Sequence, residues 1–366
     1  MAKRAKRKAA VRDARMADSL PALSTLDHIP AFEELRADDV QRGAFLEASE
    51  ADPGLELGCV VRLDRGFPAV AVEGGLFRAE FAAQLTKGDF SRVAVGDWVC
   101  VRRPDAHDMG LIEQILPRRS DIARWKGGAR GERQTLAANV DSVIVVQAEG
   151  PEGPDLGRIG RSAVVARDCG ARIAVVLTKA DRVSGEALAA DMGRIRGLLG
   201  EEVALAATSS AEGEGIEAVR ALVPEGRAAI VLGESGAGKS TLLNALLGES
   251  ALETGAVRES DDMGRHTTVA RRMVSIPGAG IIVDEPGLRS LPLVGHERGL
   301  AKVFPDISEA ASECRFRDCT HTHEPGCAVQ EGISEGRFSS ERAEAYLALA
   351  AEMRASALTL DPDIVL

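Results

Sequence analysis

The sequence predicts an α/β protein in which a parallel β-sheet is preceded by a small β-barrel and followed by a loop-rich module. All-apolar strand cores alternate with helical segments from residue 139 onwards, which is typical of a parallel sheet covered on both faces. Five short strand-like runs occupy residues 57–116, and three cysteines fall within fourteen residues towards the C-terminus. The 366 residues suffice for two or three domains that each bury a core.

Composition and charge narrow the class of protein and its location. The formal net charge is −11, yet the first fifteen residues carry seven Lys or Arg against Asp13, a local balance of +6. A basic arm on an acidic body is a common way to contact nucleic acid, and a solvated disordered tail is an equally good interpretation. No apolar run approaches the ~20 residues of a membrane span, and the charged N-terminus lacks the apolar core of a secretory signal. We therefore expect a cytoplasmic protein without membrane contact.

The pattern predicts four segments along the chain. Residues 1–50 predict a basic N-terminal extension of low order, and residues 51–119 predict a barrel of the OB type. An SH3-like barrel or a plain sheet would give similar strand patterning, so both remain alternatives for this segment. Residues 120–297 hold the alternating strands and helices, and residues 298–366 hold the cysteine cluster and a final helix.

A glycine-rich loop follows one of the apolar strands of the predicted sheet. GESGAGKS, residues 233–240, is a complete Walker A pattern, in which successive backbone N–H groups point at phosphate oxygens and the next helix adds partial positive charge. Lys239 is expected to reach the β- and γ-phosphates, and the Ser240 hydroxyl is expected to ligate Mg²⁺. The predicted phosphate-binding residues are Gly233, Glu234, Ser235, Gly236, Ala237, Gly238, Lys239, Ser240 and Thr241.

A second motif, upstream of this loop, predicts which base is bound. Thr178, Lys179, Ala180 and Asp181 end another apolar strand, and ligands bind at the carboxyl ends of parallel strands. The Asp181 carboxylate can accept hydrogen bonds from both N1–H and the exocyclic amine of guanine, whereas adenine does not offer these two donors together. The Lys179 stem can lie along the base plane. Ser209 ends the next strand within ATSS and is a candidate to present a backbone N–H to the base oxygen.

A downstream DEPG segment predicts a γ-phosphate sensor. It follows the apolar run GIIV, so Asp284 is placed to hold Mg²⁺ through water and the Gly287 N–H to meet the γ-phosphate. Leu288 stands where many GTPases carry the glutamine that orients the attacking water. Since leucine cannot orient water, we expect slow intrinsic hydrolysis.

Between the glycine-rich loop and DEPG lies GRHTTVARR, which predicts a second nucleotide-sensing switch. Thr268, or alternatively Thr267, is a candidate Mg²⁺ ligand that senses the γ-phosphate. His266 precedes these threonines and is a candidate to orient water, although a solvated loop histidine is an equally good interpretation. The candidate catalytic residues are Lys239, His266 and Thr268.

Four soft ligands near the C-terminus predict one structural zinc site. Cys314, Cys319, His321 and Cys327 supply three thiolates and one imidazole, which complete a tetrahedral shell and leave no open position for water. His323 is a competing ligand, and a reduced cluster without metal is the alternative. The other three cysteines lie apart, so the pattern favours a metal site in a reducing compartment over a disulfide framework.

Taken in order, the motifs resemble the ribosome small-subunit-dependent GTPase family, also called RsgA, YjeQ or YloQ. The resemblance covers roughly residues 55–340 and rests on VGDWV, TKAD, GESGAGKST, GRHTT, DEPG and CRFRDCTHTHEPGCAV. An ordinary GTPase has the phosphate loop first and the guanine motif late. The resemblance therefore implies a circularly permuted GTPase domain, with an OB-fold before it and a zinc domain after it.

The resemblance also implies an activity, cofactors and partners. These are GTP hydrolysis stimulated by the small ribosomal subunit during its late maturation, rRNA contacts through the OB and zinc domains, Mg²⁺ with GTP, and one Zn²⁺ in a monomer. The family's phosphate-loop, switch and zinc residues match Lys239, Ser240, His266, Thr268, Cys314, Cys319, His321 and Cys327. Thr178 replaces the usual Asn, and Glu285 replaces the usual Thr of D-T-P-G. Both departures bear on nucleotide affinity.

Two further interpretations compete with this one. An unrelated P-loop ATPase or kinase would share the glycine-rich loop, but TKAD at a strand end argues against it. An RNA-binding module with a purely structural nucleotide site is the other alternative. That second alternative is disfavoured because four nucleotide-site residues are intact: Lys239, Ser240, Thr268 and Asp284.

Overall fold

The computed structural model describes residues 23, 26–64, 67–82, 85, 93–104, 109–126, 132–209, 212–248, 271–284, 293 and 295–360. These residues form two compact units. The barrel unit comprises the described part of Met1–Arg118 and Asp261–Ser275, and the α/β unit comprises that of Arg119–Ser260 and Ile276–Leu366. No helix within the described ranges is both long and apolar enough to cross a membrane.

Strands and helices are numbered in chain order. The strands are β1 (Glu56–Asp64), β2 (Phe67–Val72), β3 (Gly75–Phe81), β4 (Trp98–Arg102), β5 (Gly110–Ile115), β6 (Asp121–Lys126), β7 (Glu132–Ala138), β8 (Ser142–Ala148), β9 (Arg172–Thr178), β10 (Ala204–Thr208), β11 (Ala228–Leu232), β12 (Arg271–Ser275) and β13 (Ile281–Asp284). The helices are α1 (Asp39–Ala51), α2 (Leu156–Asp168), α3 (Gly185–Leu199), α4 (Ile216–Ala221), α5 (Lys239–Leu247), α6 (Glu297–Val303), α7 (Pro305–Ser312), α8 (Ala328–Ser334) and α9 (Ser340–Leu360). Short 3-10 helices lie at Phe32–Glu34 and Ala180–Arg182.

In the barrel unit, five strands close into a barrel. They pair in the order β1-β2-β3-β5-β4, and β4 returns to pair with β1. The β3–β5 pair is parallel and the other pairs are antiparallel. Val60, Val70, Val99 and Ile112 fill the interior and are fully buried. The closure confirms the predicted barrel and excludes the plain-sheet alternative.

Residues 26–51 are ordered, which differs from the low order predicted for this stretch. The Asp38 carboxylate accepts a hydrogen bond from the Gln41 backbone N–H at 2.8 Å, and the Gln41 amide oxygen accepts one from the Asp38 N–H at 3.0 Å. This capping box starts α1. The Gln41 amide group also donates to the carbonyl of Pro117 at 3.2 Å, and the Phe32 ring lies edge-on to Trp98 at 5.8 Å. The basic residues of the first fifteen positions lie outside the described residues.

The α/β unit is built on a parallel sheet, as predicted. Its strand order is β10-β9-β8-β11-β13, and all four neighbouring pairs are parallel. The two strands that carry the sequence motifs, β9 and β11, therefore lie on either side of β8 although β9 comes much earlier in the chain. Because all five strands run the same way, their carboxyl ends meet at one edge.

Helix α2 is the surface on which the C-terminal module, residues 295–360, packs. A Cβ atom on Gly299 would lie 2.1 Å from the carbonyl oxygen of Val164. The backbones of α6 and α2 are therefore too close at this point for any side chain at position 299. The guanidinium of Arg161 on α2 pairs with both carboxylate oxygens of Glu352 on α9, with the shortest distance at 2.7 Å. Glycine in α6 and a two-pronged ion pair thus fix the module on this helix.

Replacing Gly299 with alanine is expected to destabilise this packing. The added methyl group meets backbone atoms of α2, which cannot rotate away as a side chain can. We expect the free energy of unfolding to fall by about 1–3 kcal/mol, measured by urea denaturation. Gly193→Ala is the matched control, because nothing lies within 4 Å of that Cβ position in α3 and alanine there is expected to stabilise the helix by about 0.5–1 kcal/mol. Equal stabilities of the two variants would contradict the close approach.

Candidate nucleotide site and metal centre

The glycine-rich loop joins β11 to α5 at the shared edge of the sheet. Gly236 and Gly238 have φ values of 83° and 87°, in the left-handed region that glycine adopts without strain. A Cβ atom on Gly233 would lie 2.6 Å from the carbonyl oxygen of Val146 on β8. The three glycines are therefore required by the backbone geometry of the loop, as the Walker A pattern predicts.

Two ammonium groups lie against the loop. Lys239 donates from Nζ to the carbonyl oxygens of Gly233 and Glu234 at 2.6 and 2.7 Å. Lys179 donates from Nζ to the carbonyl oxygen of Gly236 at 2.7 Å. Both cations thus border the concave loop, and a phosphate group that enters it would meet positive charge from the phosphate motif and from the base motif.

Thr178 links the base motif to the phosphate loop. It is buried at the end of β9, and its Oγ1 donates to the carbonyl oxygen of Ala237 at 2.7 Å, with the Gln147 carbonyl oxygen at 3.2 Å. After it, Lys179 adopts φ 57° and the chain turns into the short 3-10 helix that carries the exposed Asp181. The threonine hydroxyl therefore ties the strand end to the loop directly, which shows how a residue other than Asn occupies this position.

Two further predicted site residues, Ser209 and Asp284, lie at the same edge of the sheet. The backbone N–H of Ser209 donates to the Glu214 carbonyl oxygen at 3.2 Å within the turn after β10, and the base contact expected from ATSS stays a prediction. Asp284 is the last residue of β13, and the register Ile230↔Val283 places it next to the strand that enters the loop. His266, Thr267, Thr268, Glu285, Gly287 and Leu288 lie outside the described residues.

Sequence reasoning missed an ion pair between the loop and α2. Arg158 on the first turn of α2 lies 2.6 Å from the Glu234 carboxylate and 3.4 Å from that of Asp155. The Asp155 side chain also caps the helix by accepting from the Arg158 N–H at 2.9 Å. An Asp followed by a helical segment predicts the helix cap. No sequence spacing predicts that Arg158 reaches Glu234 in the glycine-rich loop.

A buried carboxylate at the end of β8 was also missed. Glu149 is 3% exposed, and both of its carboxylate oxygens are buried, with the Gly150 backbone N–H as a weak partner that partly offsets the effect of burial on its pKa. Burial raises the pKa of the Glu149 carboxyl, and the negative charge of Asp191 raises it further. Its position in the sequence could have identified Glu149 as a candidate. It is an acidic residue directly after an apolar strand, at the sheet edge where ligands bind.

Glu149→Gln is expected to stabilise the nucleotide-free protein at neutral pH. The pKa of Glu149 is raised in the folded state. The stability that protonated Glu149 contributes is therefore fully present below the unfolded-state pKa, and it is lost as the pH rises through the folded-state pKa. We expect the variant to be more stable than the wild type at pH 7 and to converge with it in acid. Urea denaturation at several pH values tests this, with the exposed Glu152→Gln as control. A variant less stable than wild type at pH 7 would show that the ionised carboxylate has a favourable partner.

The C-terminal module brings four potential metal ligands together. One ligand atom from each of Cys314, Cys319, His321 and Cys327 lies within 4.8 Å of the others. The Cys314 Sγ lies 3.4 Å from His321 Nδ1 and 3.9 Å from Cys327 Sγ. Such spacings suit four ligands around one ion at the 2.0–2.3 Å typical of zinc, so the residues fit a tetrahedral metal.

The competing ligand His323 is directed elsewhere. Its Nδ1 lies 2.8 Å from the Thr322 hydroxyl, and the Glu324 carboxylate accepts hydrogen bonds from the backbone N–H groups of Thr320, Thr322 and His323 at 2.9–3.2 Å. The hydrogen bond from the Thr320 hydroxyl is the largest cause of a lowered pKa of the Glu324 carboxyl, and the backbone N–H groups of Thr320 and His323 lower it further. The ionised Glu324 thus organises the loop between His321 and Cys327 and keeps His323 outside the cluster.

Fold and site together define the class of protein. A phosphate loop after β11 and a guanine motif after β9 share one sheet edge, yet the guanine motif comes first in the chain. This is the arrangement of a P-loop GTPase whose strands are visited in a circularly permuted order.

Comparison with known proteins identifies the family. The sequence profile of the RsgA GTPase family matches residues 115–294. Proteins named small ribosomal subunit biogenesis GTPase RsgA are 42% identical in Streptomyces avermitilis, over 82% of this chain and 80% of that protein, and 33% identical in Leptospira interrogans, over 87% and 88%. The chain therefore belongs to the RsgA family of GTPases.

Solved structures agree on the fold. The crystal structure of YjeQ from Thermotoga maritima matches with a TM-score of 0.61 and 23% identity, over 82% of this chain and 99% of that one. The structure of YloQ, a circularly permuted GTPase, matches with a TM-score of 0.59 and 19% identity, over 82% and 96%. The permuted α/β fold expected from the order of the motifs is confirmed.

Proposed function

We propose that the protein hydrolyses GTP, with Mg²⁺, as a late maturation factor of the small ribosomal subunit in the cytoplasm. The observation that carries the proposal is the 2.7 Å hydrogen bond from the Thr178 hydroxyl to the Ala237 carbonyl. This bond joins residues 178–181 to the glycine-rich loop, which supports one site for the guanine base and the triphosphate. The names of the relatives support a role in biogenesis of the small subunit, and we propose that the subunit stimulates hydrolysis.

Each site residue has a proposed role at the sheet edge. Lys239 moves from the loop carbonyls to the β- and γ-phosphates, and Ser240, Thr268 and Asp284 hold Mg²⁺ directly or through water. Asp181 accepts hydrogen bonds from guanine, with Lys179 along the base. His266 orients the attacking water in place of the glutamine that Leu288 replaces.

The metal cluster is proposed to hold one structural Zn²⁺. Three thiolates and one imidazole complete a tetrahedral shell, so no position remains open for a reacting water. Zinc supplies cross-links to a module whose loops between residues 314 and 327 contain no helix or strand. The barrel and this module are the proposed rRNA-binding surfaces, and the basic arm at residues 1–15 is a further candidate.

Turnover of GTP and ATP with and without purified small subunits tests the activity. We expect slow hydrolysis of GTP, faster hydrolysis with subunits, and negligible hydrolysis of ATP. Equal turnover of ATP would favour an unrelated P-loop ATPase, and no turnover under any condition would favour a nucleotide-sensing RNA-binding module.

Asp181→Asn tests the assignment of the base. Xanthine has a carbonyl oxygen where guanine has its exocyclic amine, and an asparagine amide can donate to that oxygen. The variant should therefore lose affinity for GTP and gain affinity for xanthosine triphosphate. The exposed Asp318→Asn, in the metal loop, is the matched control and should leave both affinities unchanged. Unchanged nucleotide preference of Asp181→Asn would place the base elsewhere.

A further inference from the structure

An exposed aromatic ring lies on the loop between the first two metal ligands. Phe316 is 41% exposed, and among the described residues the other two large apolar side chains classed as exposed, Val40 and Leu46, lie on α1. Arg315, Arg317 and Asp318 flank the ring and are also exposed. Residues 315–318, here called the RFRD loop, therefore present an aromatic ring and a net charge of +1.

The RFRD loop is held in place by its backbone. The Cys319 N–H donates to the Phe316 carbonyl at 3.3 Å, and the Arg315 N–H donates to the Gly326 carbonyl at 3.1 Å. A Cβ atom on Gly326 would lie 3.2 Å from the Arg315 Cβ, so the arginine stem packs closely on this glycine. The ring is thus displayed on a turn fixed at both ends, which lowers the entropy lost when a ligand binds to it.

The charged side chains around the ring favour binding of a negatively charged polymer that carries planar aromatic groups. The Arg315 guanidinium lies 5.5 Å from the centre of the Phe316 ring, so a cation already interacts with the aromatic system. The Arg317 guanidinium makes no ion pair or side-chain hydrogen bond within the described ranges. A stacking surface and a neighbouring uncommitted cation match the two components of single-stranded nucleic acid, the base and the phosphate.

We propose that Phe316 stacks on an unpaired nucleobase of RNA, with Arg317 against the adjacent phosphate. The inference rests on the proposed function, since rRNA of the small subunit is the RNA that this protein would meet. A protein partner would require an apolar patch, but Phe316 stands between charged side chains and has no exposed apolar neighbour in the loop. Stacking on one ring instead needs only a single aromatic face.

The test compares Phe316 variants for binding to purified small subunits with a non-hydrolysable GTP analogue. Phe316→Ala should weaken binding by about 5- to 150-fold, the range expected from the loss of one stacked base. Phe316→Trp should retain affinity, whereas Phe316→Leu should be nearly as weak as alanine because it lacks a π face. Arg317→Ala should reduce the slope of log affinity against log salt by about 1.

Several controls separate this inference from other effects. Leu46→Ala removes another exposed apolar side chain, on α1, and should leave binding unchanged. Bound metal and subunit-free GTP turnover should be unchanged in all Phe316 variants, because the ring is exposed and distant in sequence from every nucleotide motif. Chemical probing of the rRNA should show at least one unpaired base protected by the wild type and not by Phe316→Ala.

The outcomes distinguish failure of the inference from failure of the proposed function. If wild type binds subunits and Phe316→Ala binds equally well, the stacking inference is wrong and the proposed function stands. If Phe316→Leu restores full affinity, the contact is apolar and a ribosomal protein replaces RNA as the partner, which also overturns the inference. If the wild type neither binds subunits nor responds to them, the proposed function itself fails.

Discussion

Lys239→Ala is expected to abolish measurable GTP hydrolysis and to weaken binding of GTP more than binding of GDP. The Lys239 ammonium donates to the carbonyl oxygens of Gly233 and Glu234 in the loop at 2.6 and 2.7 Å, from where it can meet the β- and γ-phosphates. Loss of one preorganised charge at a transferring phosphoryl group lowers kcat by about 10²–10³-fold. Single-turnover hydrolysis with small subunits and fluorescent-nucleotide binding measure the two effects.

Lys302→Ala is the matched control for this variant. Lys302 also donates from Nζ to a backbone carbonyl, that of Arg167 at 3.1 Å, but it lies on α6 in the C-terminal module. Its removal should leave kcat and nucleotide affinity within about twofold. Retention of kcat by Lys239→Ala would contradict the proposed phosphate role of the loop.

Cys319→Ala is expected to release the bound metal and unfold the C-terminal module. The cluster holds four ligand atoms within 4.8 Å, and apparent binding free energies of structural zinc reach about 10–16 kcal/mol at neutral pH. Losing one thiolate therefore removes far more free energy than a typical surface substitution. Metal analysis, limited proteolysis of residues 295–360 and fluorescent-GDP binding measure the outcome, and we expect nucleotide affinity to be spared.

Cys169→Ala provides the matched control for the loss of a thiol. Cys169 is a partly exposed free cysteine at the end of α2, outside the cluster. Its replacement should leave one metal ion per chain and an intact module. A folded Cys319→Ala variant without metal would contradict the structural role of zinc.

Local chemistry made the conformation of the glycine-rich loop and the convergence of the cysteine and histidine cluster predictable. Gly236 and Gly238 stand where the backbone needs positive φ, and such positions leave a signal in any single sequence. The four metal ligands fall within fourteen residues, so their convergence requires little knowledge of the rest of the fold. The parallel sheet was predictable because strands buried on both faces are continuously apolar.

Other features depend on contacts between distant residues and had no local signal. The ordered stretch before the barrel is stabilised by Gln41 against Pro117, which is 76 residues away. The glycine at position 299 is explained only by the carbonyl of Val164. The Ser209 N–H, a candidate base contact, donates to the Glu214 carbonyl oxygen in a turn, and a residue pattern does not reveal this turn.

The strand order also sets the sequence of events during synthesis of the chain. Strands β8, β9 and β10 emerge first and pair with one another, whereas β11 and β13 can only add later at the free side of β8. From Thr178 to Lys239 the chain grows by 61 residues, which takes about 3–12 s at ordinary translation rates. A nascent chain therefore carries the strand with the proposed base motif for seconds before the proposed phosphate loop has been synthesised. Nucleotide loading thus has to wait until most of the protein has left the ribosome that makes it.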